Sequence, residues 1–136
     1  PRLAYQVLIY PVTDLRACSP SYTTFAEGHM LTRSAMQWYI AQYAPDASAV
    51  HDWRGSPLLA PSVERVPPAL VIAAECDPLC DEGAQYAKRL TDQGVAVDYV
   101  RFDGMVHGFL TMGGKIDAAN DAVATIAGSL RRAFRN

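Results

Sequence analysis

The chain has 136 residues, half of them hydrophobic, which is enough to bury one compact core. Its formal net charge of −2 gives no electrostatic reason to bind nucleic acid or an anionic membrane. No segment approaches the ~20 apolar residues of a transmembrane helix and no secretory signal is visible, so a cytoplasmic location is expected. In chain order, Leu3 to Tyr10 is an apolar run that predicts a first strand, ending at Pro11-Val-Thr-Asp14. Asp14 reads as a capped turn into the next loop rather than as a ligand contact. Residues 15–55 then break the alternation of strand and helix with Ser, Thr, Pro and Gly among aromatics. Within them Leu31 to Tyr43 is helical in pattern, with Thr32 as N-cap, Pro45 beyond the end, and Ala35, Met36, Tyr39, Ile40 and Tyr43 marking one side.

Val71 to Ala74 form a short apolar run entered through Pro67-Pro68 and closed by Glu75-Cys-Asp-Pro78, the pattern of a strand buried on both faces. Asp81 to Gly94 carries acids in its first turn, Lys88 and Arg89 near its end, and Gly94 as a stop, with Ala84, Tyr86, Ala87 and Leu90 at helical spacing. Val97 to Phe102 alternates and is rich in β-branched and aromatic residues, after which Asp103-Gly104 is expected to turn the chain toward His107. Strand, helix and strand at these lengths make a parallel crossover, which puts both strand ends on one rim. Ligands and chemistry gather outside the carboxyl ends of such strands. Asp77 and His107 can then hydrogen-bond there, through the imidazole Nδ1, although topology by itself favours Asp77 as a cap of the following helix and His107 as a turn histidine. Lys115 to Phe134 predicts a last helix, with Ala119, Ala122, Val123, Ile126, Leu130 and Phe134 as its apolar stripe.

Cys18, Cys76 and Cys80 are too few and too unevenly spaced for a disulfide framework, and free thiols are favoured over a Cys76–Cys80 bridge. His29 and His51 are not arranged with them in any ligand spacing, so neither a metal nor a cofactor is expected.

Glu75-Cys-Asp-Pro-Leu-Cys-Asp-Glu-Gly83, followed by Phe102-Asp-Gly-Met-Val-His-Gly-Phe109, resembles the final third of an α/β-hydrolase of the hormone-sensitive-lipase-like carboxylesterase and lipase family. Leu8-Ile-Tyr-Pro11, Arg54-Gly-Ser-Pro-Leu58 and Pro67-Pro-Ala-Leu-Val-Ile72 match as well. The resemblance implies an α/β fold, the C-terminal portion of an α/β-hydrolase over residues 1–136, with three parallel strands, crossover helices and residues 15–55 as an inserted cap. It implies catalytic Asp77 and His107 as triad acid and base, and a cap whose Phe25, Met30, Leu31 and Trp38 line a substrate pocket, although ordinary packing is favoured for any one aromatic. Leu3 to Tyr10 would lie in mid-sheet, beside the strand that leads to the nucleophile. Cys80 stands where many members carry arginine, a difference expected to leave the triad untouched.

The Gly-x-Ser-x-Gly nucleophile elbow and the His-Gly-Gly oxyanion loop of that family are absent from these residues; Ser19, Ser21, Ser34, Ser48, Ser56, Ser62 and Ser129 all lack the elbow's glycines. The chain also opens at Pro1 and enters an apolar strand within a few residues. A preceding segment or separate chain is therefore expected to supply the serine. Two readings follow. The first is part of a serine carboxylesterase for short or medium acyl esters, inactive by itself and partnered by the serine-bearing part of the same hydrolase. The second is a non-catalytic α/β module whose sheet edge and apolar lid serve binding or self-association, as a homo-oligomer.

Overall fold

The computed structural model describes residues 3–46 and 48–135. Its frame is a parallel sheet of three strands in the order β1 (Gln6–Ile9), β2 (Ala69–Cys76), β3 (Val97–Val106). Helix α3 (Cys80–Asp92) makes the crossover between β2 and β3, and α4 (Asp117–Ala133) follows β3. Between β1 and β2 lie a four-residue helix α1 (Ser21–Thr24), helix α2 (Arg33–Tyr43) and two short 3-10 turns at Ala49–His51 and Pro57–Leu59.

β2 is central, and its alternating side chains explain why it is apolar throughout. Ala69 and Val71 face one way, into a core with Tyr86, Ala87 and Leu90 of α3 and with Val63 and Val95. Leu70, Ile72 and Ala74 face the other way, against Phe109 and against Ala119 and Ala122 of α4. Each fully buried Val, Leu, Ile or Phe side chain here contributes about 1.5–3 kcal/mol relative to exposure. A third cluster, Tyr22, Met36 and Leu79 with Leu31 and Ile40 beside it, seats α1 and α2 on the end of β2.

The expected elements are present with shifted bounds. β1 is shorter than Leu3–Tyr10, and α3 and α4 start at Cys80 and Asp117 rather than Asp81 and Lys115. Thr32 caps α2 as expected, its Oγ1 accepting the Ala35 N–H at 3.1 Å.

Several expectations need correction. The chain does not turn at Asp103-Gly104, because β3 continues to Val106 through a bulge. Ala74 pairs with Phe102 but Cys76 with Val106, so β3 carries two extra residues there. Gly104 (φ +71°) supplies the left-handed residue this needs, and its N–H donates to Glu75 Oε2 at 2.6 Å. Of the marked side of α2 only Met36 is buried, while Tyr39 and Tyr43 are exposed, since α2 rests on the body along the narrow seam around Met36. On α4, Val123 and Phe134 are likewise exposed, and Ser129 is buried instead. No helix among the described residues is long and apolar enough to cross a membrane.

Candidate active site

β2 ends in Asp77-Pro78, and the local turn already uses half of the Asp77 carboxylate. Its Oδ1 accepts the Leu79 N–H at 2.9 Å, one of the donors that the start of α3 leaves open, while Pro78 has none to satisfy. Its Oδ2 lies 2.7 Å from His107 Nδ1. Asp77 is fully buried, whereas the His107 side chain is 28% exposed. A carboxylate only accepts, so Nδ1 carries the proton and Nε2 is left as the basic nitrogen.

His107 reaches this position because both flanks of its loop are anchored. Before it, Glu75 holds the Gly104 bulge. After it, Gly108 (φ +82°) starts a 3-10 turn over Phe109–Met112 whose Phe109 is fully buried in the α4-side core. Tyr10 supplies a third contact, its ring centroid 4.4 Å from that of His107 at an interplanar angle of 57°. It does so from a strained backbone, with φ +34° at a non-glycine position. Burial and, less strongly, the neighbouring Asp77 push its phenol up, so Tyr10 stays neutral at ordinary pH.

His107 opens onto a cavity of about 410 Å³ lined by Ile9, Tyr10, Pro11, Val12, Leu31, Met36, Tyr39 and Leu79. Of the side chains expected to line a substrate pocket, Leu31 is here. Phe25, Met30 and Trp38 do not line this cavity. Phe25 is half-buried edge-on to His29 at 5.2 Å, Met30 is 69% exposed, and Trp38 is 60% exposed against Tyr39, which does line the cavity. Asp14 closes its own turn, as expected. Its carboxylate accepts the Arg16 N–H at 3.0 Å and pairs with the guanidinium at 2.6 Å. Cys18, Cys76 and Cys80 are free thiols, and the described residues hold no group of three or more His, Cys, Asp or Glu arranged to bind a metal.

The geometry at this rim is an imidazole oriented by a buried carboxylate beside an apolar cavity. The family model of the alpha/beta hydrolase fold matches residues 1–111. The chain belongs to the α/β-hydrolase fold family. It is 39% identical over 132 residues to an ethyl acetate hydrolase of Pseudomonas putida, covering 97% of this chain and 41% of that protein. It is 38% identical to the carboxylic ester hydrolase LipN of Mycobacterium tuberculosis, covering 97% of this chain and 36% of that protein. The crystal structure of EstE1, a thermostable carboxylesterase from a metagenomic library, superimposes with a TM-score of 0.91 at 39% identity, over 96% of this chain and 45% of that one. This α/β-hydrolase chain thus spans roughly two fifths of the length of such relatives, and its homologues are carboxylesterase-type hydrolases.

Glu82, read from the sequence as an acid in a helix's first turn and as part of the Glu75–Gly83 motif but given no role at the site, is fully buried. Burial pushes its carboxyl up to about 7, against the backbone N–H groups of Thr13 and Asp14 that favour the charged form. Because this lies above the ordinary value of 4.5, the folded state holds the proton where the unfolded chain has released it. The stability from this group is therefore complete below pH 4.5 and is lost as pH rises to about 7, by about 3 kcal/mol at ~1.4 kcal/mol per unit. Urea unfolding at pH 5 and pH 7.5 measures this, and Glu82→Gln should flatten the difference.

Proposed function

We propose that this chain is part of a serine carboxylesterase acting on short or medium acyl esters, in which His107 is the general base and Asp77 orients it. The observation that carries the reading is the 2.7 Å contact between His107 Nδ1 and the buried Asp77 Oδ2 at the rim of the sheet. A serine hydroxyl is a poor nucleophile until an imidazole takes its proton, and the acid holds the tautomer and stabilises the cation that forms. His107 Nε2 would accept the proton from the serine as the acyl-enzyme forms, and return it to the departing alcohol. The apolar cavity beside His107 suits a small acyl or alcohol group.

In this reading the nucleophile and oxyanion donors come from a serine-bearing segment outside these residues, and residues 15–55 form part of the cap. Supporting it, β1 is the outer strand of the sheet, so one side of its backbone has no strand partner among the described residues. A strand leading to a nucleophile elbow would pair there. The chain alone should not hydrolyse p-nitrophenyl acetate, and adding the segment that carries Gly-x-Ser-x-Gly should restore turnover. Hydrolysis by the chain alone, through one of its own serines, would contradict the reading.

A further inference from the structure

The buried carboxyl of Glu82 plays no part in the acid–base chemistry, yet it connects helix α3 to the loop that follows β1. Glu82 Oε1 accepts the N–H of Thr13 at 2.6 Å and of Asp14 at 3.2 Å, and the Glu82 carbonyl accepts Thr13 Oγ1–H at 2.9 Å. Thr13, Asp14 and Glu82 are each at most 2% exposed, so water does not compete for these bonds. The segment they fasten begins with Tyr10, whose strained backbone holds its ring against His107, and continues through Pro11 and Val12, which line the cavity. Strain of this kind persists only where the surroundings over-determine it.

We propose that Glu82 is a positioning residue for His107: by tying the Thr13–Asp14 backbone to α3, it holds Tyr10 on the imidazole and fixes Pro11 and Val12 as a wall of the substrate cavity. The second carboxyl oxygen, Oε2, and the hydroxyl of Tyr22 on α1 are both buried with no hydrogen-bond partner among the described residues. Each nonetheless acts on the other's ionisation. The Tyr22 hydroxyl and Glu82 Oε2 lie beyond ordinary hydrogen-bond distance yet close enough to act on each other, and a protonated Glu82 carries no buried charge beside Asp14.

The kinetic arm of the test rests on the acid–base reading of His107, whereas the spectroscopic arm does not. The variants are Glu82→Gln, Glu82→Ala and Glu82→Met in the serine-bearing protein, read by steady-state hydrolysis of p-nitrophenyl esters and by NMR of the His107 ring protons, against which the Tyr10 ring lies. Glu82→Gln keeps an acceptor for Thr13 and Asp14 and gives Tyr22 a donor, so turnover and the His107 signals should stay near wild type. Glu82→Ala should lower kcat by about 10²-fold, the scale of a 1 Å misplacement, raise KM, and move the His107 signals toward unstacked values. If Glu82→Ala does not fold, Glu82→Met decides, because it fills the same volume and removes the Oε1 acceptor of the Thr13 and Asp14 N–H groups, with the same shifts expected. Wild-type kcat and unchanged His107 signals in a folded Glu82→Ala, or in Glu82→Met, would overturn the proposal. Moved signals with unchanged kcat would uphold the positioning contact and sink the catalytic reading, which His107→Ala would then confirm by retaining activity.

Discussion

Replacing His107 by alanine in the serine-bearing protein should lower turnover of a p-nitrophenyl ester by about 10⁴-fold or more while leaving the fold in place. The size follows from the role proposed for His107. Without a base at this point the serine hydroxyl keeps its proton, and binding and oxyanion contacts alone remain to accelerate the reaction. The fold survives because the imidazole sits at the rim, partly exposed, and Phe109 rather than His107 anchors the loop in the core. Some stability is lost, on the order of 1–3 kcal/mol, since Asp77 Oδ2 loses its partner while still buried. Turnover within tenfold of wild type would place the base elsewhere.

Asp77→Asn should cost nearly as much, about 10⁴-fold in kcat, with little change in KM. The asparagine carbonyl can still accept the Leu79 N–H, so the turn into α3 is kept. Its amide, however, presents a donor to Nδ1 and selects the tautomer with the proton on Nε2, which cannot take a proton from serine. Asp77→Ala removes both hydrogen bonds, and should add a loss of stability that Asp77→Asn does not show. Thermal unfolding of the two variants beside their kinetics separates orientation from folding. An Asp77→Asn variant with near-wild-type kcat would show that the acid does not set the tautomer.

That Asp77 and His107 share a rim was legible in the topology, whereas the resemblance of the two motifs was needed to favour a hydrogen-bonded pair over a helix cap and a turn histidine. An apolar run flanked by prolines, an amphipathic helix stopped by Gly94, and an alternating strand admit a parallel crossover, and its two ends share a rim. The path into His107 was less legible. Asp103-Gly104 has the composition of a turn, and it becomes a bulge only because the Glu75 side chain on β2 captures the Gly104 N–H. A tertiary bond of that kind leaves no trace in local propensity.

Tyr10 and Glu82 show a second limit. Tyr10 reads as the last apolar residue of a strand, and nothing in its type signals the left-handed backbone that brings its ring to His107. Glu82 reads as one of the acids that complement the dipole of α3, a role that belongs to exposed first turns. The loop after β1 covers it instead and turns its carboxyl into an acceptor for that loop's backbone. Exposed Tyr39, Tyr43, Val123 and Phe134 show the converse, because helical spacing marks a face but not whether another element covers it.

The claim that Asp77 and His107 act as one unit is tested most directly by a double-mutant cycle on kcat, comparing Asp77→Asn, His107→Ala and the double variant. Residues that serve a single proton transfer are not additive, so the double variant should be about as slow as His107→Ala alone. Losses that multiply, with the double variant slower by the product of the two single effects, would contradict the account.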